Sequence, residues 1–175
     1  MNKPTVSQLL DILNKPALLK WANKIGLEGT SLDTYRSKSM AAGSSLHEQI
    51  KNHILYGMPF DEVATQDKFN IFIGDKKIIS VEQDIETEWF IGRYDVEVSF
   101  NDTFFLCDWK SSDAIYFENI LQLVAYRMAR PDHKVAIVQI PSFKFKPLGI
   151  SDFLVYEEIL KSLYTIFVNK KRIGQ

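Results

Sequence analysis

Two strand-forming runs separated by one polar dipeptide constrain this chain more than any other feature. Residues 92–110 read Gly-Arg-Tyr-Asp-Val-Glu-Val-Ser-Phe, then Asn101-Asp102, then Thr-Phe-Phe-Leu-Cys-Asp-Trp-Lys. β-Branched and aromatic residues dominate both runs, and Asn-Asp suits a two-residue hairpin loop. With that loop Phe100 pairs with Thr103, and counting outward sets Asp95 opposite Asp108. Opposed residues on one sheet face have Cβ atoms roughly 4.5–5.5 Å apart. Lys110 comes two positions after Asp108 and shares its face, because strand side chains alternate. Facing carboxylates repel and raise each other's pKa unless a cation lies between them. A divalent cation held by two carboxylates beside a lysine is equipment for phosphodiester hydrolysis. The competing reading is an Asp-x-Lys tripeptide on a solvated strand face. A three-residue loop or a bulge would also break the opposition.

Composition sets the outer bounds. A chain of 175 residues, 46% hydrophobic and 25% charged, is expected to fold as one globular domain with a proper core. Its single cysteine, Cys107, excludes an internal disulfide and any four-cysteine zinc or iron–sulfur site, and alternation points it into the core. No apolar run reaches membrane-spanning length and no signal-peptide pattern opens the chain, so a cytoplasmic, reducing setting is the expectation. The net charge of −1 neither announces nor excludes a nucleic-acid partner. Lys144/Lys146 and Lys170-Lys171-Arg172 are local basic groups that read as solvated surface.

Periodicity predicts an αβββαβ order with a helix added at each end, an α/β fold with helices around a central mixed sheet. Leu9, Leu10 and Leu13, then Leu18, Leu19, Ala22 and Ile25, recur at helical spacing, followed by a loop over 26–38. A second helix is expected over 40–56, with Leu46, Ile50 and Ile54 four apart and Gly57 as its stop. Strands are expected at 69–73, 77–87, 89–99, 103–110 and 134–140, with an edge strand at 143–146. A helix is expected over 116–130, ended by Pro131, and a last one carries Tyr156, Ile159, Leu160, Leu163, Ile166 and Phe167 as one apolar stripe.

Other polar residues fit around the aspartates. His47 lies on the second helix one turn after Gly43, and Gln122 and Tyr126 share one face of the helix after the Asp108 strand. Glu82, on the strand leading to the hairpin, is a candidate accessory acid. Glu97 shares the face of Asp95 and could assist metal binding, but surface charge is its better reading. Each of these also has an ordinary structural reading. His53 carries no supporting pattern. Trp109 alternates away from the aspartates into the core, whereas Trp21 and Trp89 are open candidates for stacking on bases. Phosphate-binding glycine loops, a Gly-x-Ser-x-Gly elbow, a zinc-protease helix and an EF-hand loop are all absent from the sequence.

Taken in order, Gly43-x-x-x-His47, Gly92-Arg-Tyr-Asp95, Asp108-Trp-Lys110 and Gln122-x-x-x-Tyr126 resemble the PD-(D/E)XK nuclease superfamily, RecB-type branch. Pro4-Thr-Val-Ser and the run from Leu18 through Trp21 to Gly26 resemble the opening of mitochondrial genome maintenance exonucleases and their phage-encoded relatives. The resemblance covers roughly residues 4–140. It implies a restriction-endonuclease-like fold: a helical lead-in over 1–38, a catalytic core over 39–140 and a C-terminal strand and helix over 141–175. It further implies Mg²⁺, with Mn²⁺ as substitute, held by Asp95, Asp108 and His47. Lys110 would activate or orient the attacking water, and Gln122 and Tyr126 would position the lysine or the DNA. Glu82 would correspond to an outer acidic residue. The implied activity is DNA exonuclease action on single-stranded ends in replication, recombination or repair, with a helicase or recombination protein as partner. A structure-selective or restriction-type endonuclease, and a non-catalytic nucleic-acid-binding module, remain as alternatives.

Overall fold

The computed structural model describes residues 3–13, 22–23, 26–27, 31–112 and 114–174. The expected helical pattern through Leu18, Leu19 and Ile25, and Trp21 with it, lies outside these residues. The chain forms two compact units, one comprising residues 1–12 and 64–175, the other 13–63.

In the larger unit five strands form one sheet: β1 (Lys77–Glu86), β2 (Ile91–Phe100), β3 (Thr103–Lys110), β4 (Lys134–Gln139) and β5 (Lys144–Leu148). They lie in sequence order, with β3–β4 parallel and the other pairs antiparallel, so the sheet is mixed. Asn101 and Asp102 both take positive φ, 47° and 56°, as a two-residue hairpin turn matched to strand twist requires. Phe100 therefore pairs with Thr103, and the ladder continues to Val96↔Cys107.

The strand after the hairpin is flanked on both faces, which explains its run of buried residues. On one face Leu106 packs with Tyr94, Ile137, Leu123 and Tyr126, the last two from helix α4 (Phe117–Ala129). Helix α4 ends at Ala129, and Arg130, at φ −136° and ψ 74°, leaves the helical region ahead of Pro131. Helix α1 (Val6–Leu10) and helix α5 (Phe153–Arg172) join α4 in the same layer. A capping box starts α1, in which Thr5 Oγ1 accepts from the Gln8 amide and Gln8 Oε1 accepts from the Thr5 amide.

On the other face stand Cys107 and Trp109, against helix α3 (Val63–Ile73) and the aromatic turn before β5. Ring centroids lie 5.8 Å apart for Phe72–Trp109 and 6.1 Å for Trp109–Phe143. Residues 69–73, expected as a strand, are the end of α3. Buried Thr65, Phe69 and Phe72 recur at helical spacing, while Ile71 is 79% exposed. A short apolar run cannot by itself distinguish period two from period 3.6. Lys76, at the α3–β1 turn, has its ammonium 4.9 Å, 4.9 Å and 5.2 Å from the ring centres of Phe72, Phe100 and Phe145, and it donates to the Phe72 carbonyl at 2.9 Å.

The smaller unit contains helix α2 (Leu32–Tyr56), which begins within the stretch expected to be a loop. Gly57, in the left-handed region at φ 69°, closes it, donating to the His53 carbonyl while the Met58 amide returns to Asn52. His53 Nδ1 lies 2.7 Å from the Met58 carbonyl, so this histidine braces the helix end. Among the described residues no helix is long and apolar enough to cross a membrane.

Candidate functional site

Asp108 and Lys110 lie at the end of β3 and point to the α4 side, where Gln122 and Tyr126 meet them. Asp108 is 3% exposed, and its Oδ2 is 2.5 Å from Lys110 Nζ. That contact is an ion pair rather than a directed hydrogen bond, and among the described residues Oδ2 has no hydrogen-bond donor. Oδ1 accepts from Gln122 Nε2 at 2.9 Å and from the Tyr126 hydroxyl at 3.2 Å. The Gln122 Oε1 in turn accepts from Lys110 at 3.1 Å, and its Nε2 is 2.6 Å from the Tyr126 oxygen. One amide thus holds both the acid and the base of the pair. The i, i+4 spacing on α4 is what lets Gln122 and Tyr126 reach the same carboxylate. Burial, then the neighbouring Asp108 charge, drives the Tyr126 hydroxyl well above its ordinary pKa, so it acts as a donor.

Asp95 sits where the β2–β3 ladder stops. Continuing the register past Val96↔Cys107 would pair it with Asp108, but its Oδ2 instead accepts the Trp109 amide at 2.7 Å. The carboxylate replaces a strand carbonyl as the acceptor, ending the ladder one rung short of the expected opposition. Burial first, and the Asp108 charge second, push the Asp95 carboxyl up to about 8, against the opposing pull of the Trp109 amide and Lys110. Glu82 also raises it. This residue falls at the rung skipped between Val81↔Val96 and Gln83↔Tyr94, and it has the left-handed φ of 46°. Its β1 position therefore flanks Asp95, as an accessory acid would.

His47 is half-buried on α2, in the smaller unit. Trp109 is core, and Trp89 lies under Lys161, whose ammonium is 4.9 Å from its ring centre. Cys107 is fully buried, and burial pushes its thiol far up, which leaves it inert. Among the described residues no three His, Cys, Asp or Glu side chains converge as a ready metal cluster.

One polar group escaped the sequence reading. Glu97, read as surface charge, accepts from Ser80 at 2.9 Å and Tyr94 at 3.0 Å, and its other oxygen is 3.1 Å from His133 Nε2. Burial raises its carboxyl, but these hydrogen bonds outweigh it and the net shift is downward. Nothing in the sequence pairs Glu97 with His133; the β3–β4 crossover brings them together.

Beside Gln122 and Tyr126 opens a cleft of about 710 Å³, walled by α1, the end of β1 and the start of β2. Gly92 lies in its floor. A Cβ there would come within 3.1 Å of Val6 Cγ2 and 3.3 Å of Ile85 Cγ1, so a glycine is what lets α1 seat on the sheet.

These features define an α/β domain with a buried Asp–Lys pair, a second, half-buried aspartate and a two-residue amide–phenol brace. No protein-family model matches the chain. No curated protein matches it either. Among solved structures it is similar to one titled "Crystal structure of SSO0001", at 13% identity and a TM-score of 0.47, over 94% of this chain and 76% of that one.

Proposed function

We propose that this protein is a divalent-metal-dependent nuclease hydrolysing phosphodiester bonds of DNA, acting as an exonuclease on single-stranded ends. The observation that carries this reading is the meeting of Asp95, from the middle of β2, with Asp108 and Lys110 at the end of β3, where burial and then the Asp108 charge push the Asp95 carboxyl up although Lys110 is close by. A buried carboxylate facing a half-buried one is unfavourable as a structural device. It fits Mg²⁺, a hard cation commonly held by one or two carboxylates with substrate phosphate completing its shell. Asp108 Oδ2, which has no hydrogen-bond donor among the described residues, is the oxygen that would exchange its Lys110 ion pair for the metal. Asp95 and Asp108 would hold the ion, with Glu82 as accessory. Mn²⁺ would substitute. Such an ion supplies positive charge where the transferring phosphoryl group develops negative charge.

The chain's own residues then divide the remaining work. Lys110 orients the attacking water and stabilises charge on the phosphorus centre. Gln122, bonded to both Lys110 and Asp108, is a positioning residue, and so is Tyr126. The resemblance to RecB-type nucleases, with motifs in the same order, supports this assignment and suggests replication, recombination or repair as the setting.

End-labelled linear and circular single-stranded DNA, each with Mg²⁺ or chelator, test the reading. Metal-dependent loss of linear DNA is expected, falling at least about 100-fold in Lys110→Ala. Cutting of circles would replace the exonuclease with an endonuclease. Intact DNA under every metal condition would refute the enzyme.

A further inference from the structure

The cleft beside the aspartates is chemically unlike a phosphate track. Its floor is apolar, built by Val6, Ile85 and Ile91, and its rim carries Asp84 paired with Arg93 at 2.7 Å. Glu86, also on the rim, is paired with Lys3 at 2.5 Å. The acidic groups repel a phosphate backbone. These exposed ion pairs are weak and open readily, exposing both acceptors and a guanidinium. An apolar floor, a cation able to stack and carboxylates able to accept from amino groups together suit a nucleobase. The volume lies within the roughly 300–1,000 Å³ usual for small-ligand sites. Gln122 and Tyr126 line the cleft while bonding to Asp108, so cleft and candidate site are continuous.

We propose that this cleft receives one unstacked base of a single-stranded nucleic acid whose backbone crosses the Asp95–Asp108 pair. The inference rests on reading that pair as the phosphodiester site, and it deepens that reading in two ways. A base can enter only when unpaired, which makes the cleft a selector for single strands. Asp84 and Glu86 favour bases bearing an exocyclic amino group, so cytosine is preferred to thymine.

The test is a methyl NMR titration of the full chain in chelator, where no cutting occurs, with six-residue oligo-dC and oligo-dT. Saturable shifts are expected at the Val6, Ile85 and Ile91 methyls, at lower concentration for oligo-dC. Ser7, exposed at the cleft wall, is the place to fill it. Ser7→Trp should weaken oligo-dC binding at least tenfold, with methyl signals remote from the cleft unchanged. Arg93→Gln, a surface change, should weaken it several-fold. Unshifted methyls at these three residues, or wild-type affinity in a folded Ser7→Trp, would overturn the proposal. Cleft shifts in a protein that cuts no DNA with any divalent cation would uphold the base site and remove the nuclease. Cutting with an unaltered KM in Ser7→Trp would do the reverse.

Discussion

The hairpin puts Asp95 where its neutral form is favoured. Its carboxyl, pushed up to about 8 by burial and by Asp108, sits above the ordinary value of 3.8, so the fold favours the neutral form. The sign of the pH dependence follows. Below about pH 4 the group is protonated in both folded and unfolded chains and its contribution is fully present. As pH rises towards 8 the unfolded chain sheds the proton first, and that contribution is lost. Thermal melts in chelator should therefore show the wild type losing stability from about pH 4 to 8 relative to Asp95→Asn, which has nothing to ionise. Mg²⁺ or Mn²⁺ should raise the wild-type melting temperature more at pH 8 than at pH 5, since binding requires the charged form. Equal slopes for the two proteins would show that Asp95 does not carry the effect. Asp108, Lys110, Gln122 and Tyr126 could be singled out from spacing alone, because a strand period of two and a helix period near four settle which side chains share a face. Their hydrogen bonds to one another could not.

At the scale of elements, the α3–β1 turn is fixed by Lys76. Its side chain is 8% exposed, surrounded by Phe72, Phe100 and Phe145 and paired with Asp75. Desolvated cation–π contacts contribute about 2 kcal/mol, so Lys76→Ala should cost roughly that much in urea denaturation. The proposed cleavage should not change in the folded variant, because this cluster lies on the sheet face opposite the aspartates. A loss below about 0.5 kcal/mol would show the ammonium to be merely tolerated. The same turn is where the periodicity argument failed. Phe69 and Phe72, buried against Phe143 and Trp109, select the helix; their partners lie more than thirty residues away along the chain. The hairpin needed no distant partner, since its turn residues specify it locally.

At the scale of the molecule, residues 1–12 belong to the unit that carries the sheet, although residues 13–63 intervene in sequence. Leu9 is fully buried and Val6 nearly so, and the Ile91 amide donates to the Pro4 carbonyl at 3.0 Å. Leu9→Ala should accordingly destabilise by about 2–5 kcal/mol, as burying leucine in a packed layer dictates, and hydrogen exchange should quicken at the start of β2. Protection there that matches the wild type would mean that α1 adds nothing to the sheet.

The sequence by itself determined the hairpin, its register as far as Val96↔Cys107, the order of strands and helices from residue 77 onward, and the pairing of Asp108 with Lys110 on one strand face and of Gln122 with Tyr126 on one helix face. Those properties depend on local backbone preference and on side-chain period, which neighbouring residues dictate. Tertiary structure alone decided that Asp95 would take the Trp109 amide and end the ladder, that Glu97 would meet His133, and that α1 over Gly92 would wall a cleft beside the acids. Each of those depends on groups far apart in the chain competing for burial and for hydrogen-bond partners, and only the packed fold sets that competition.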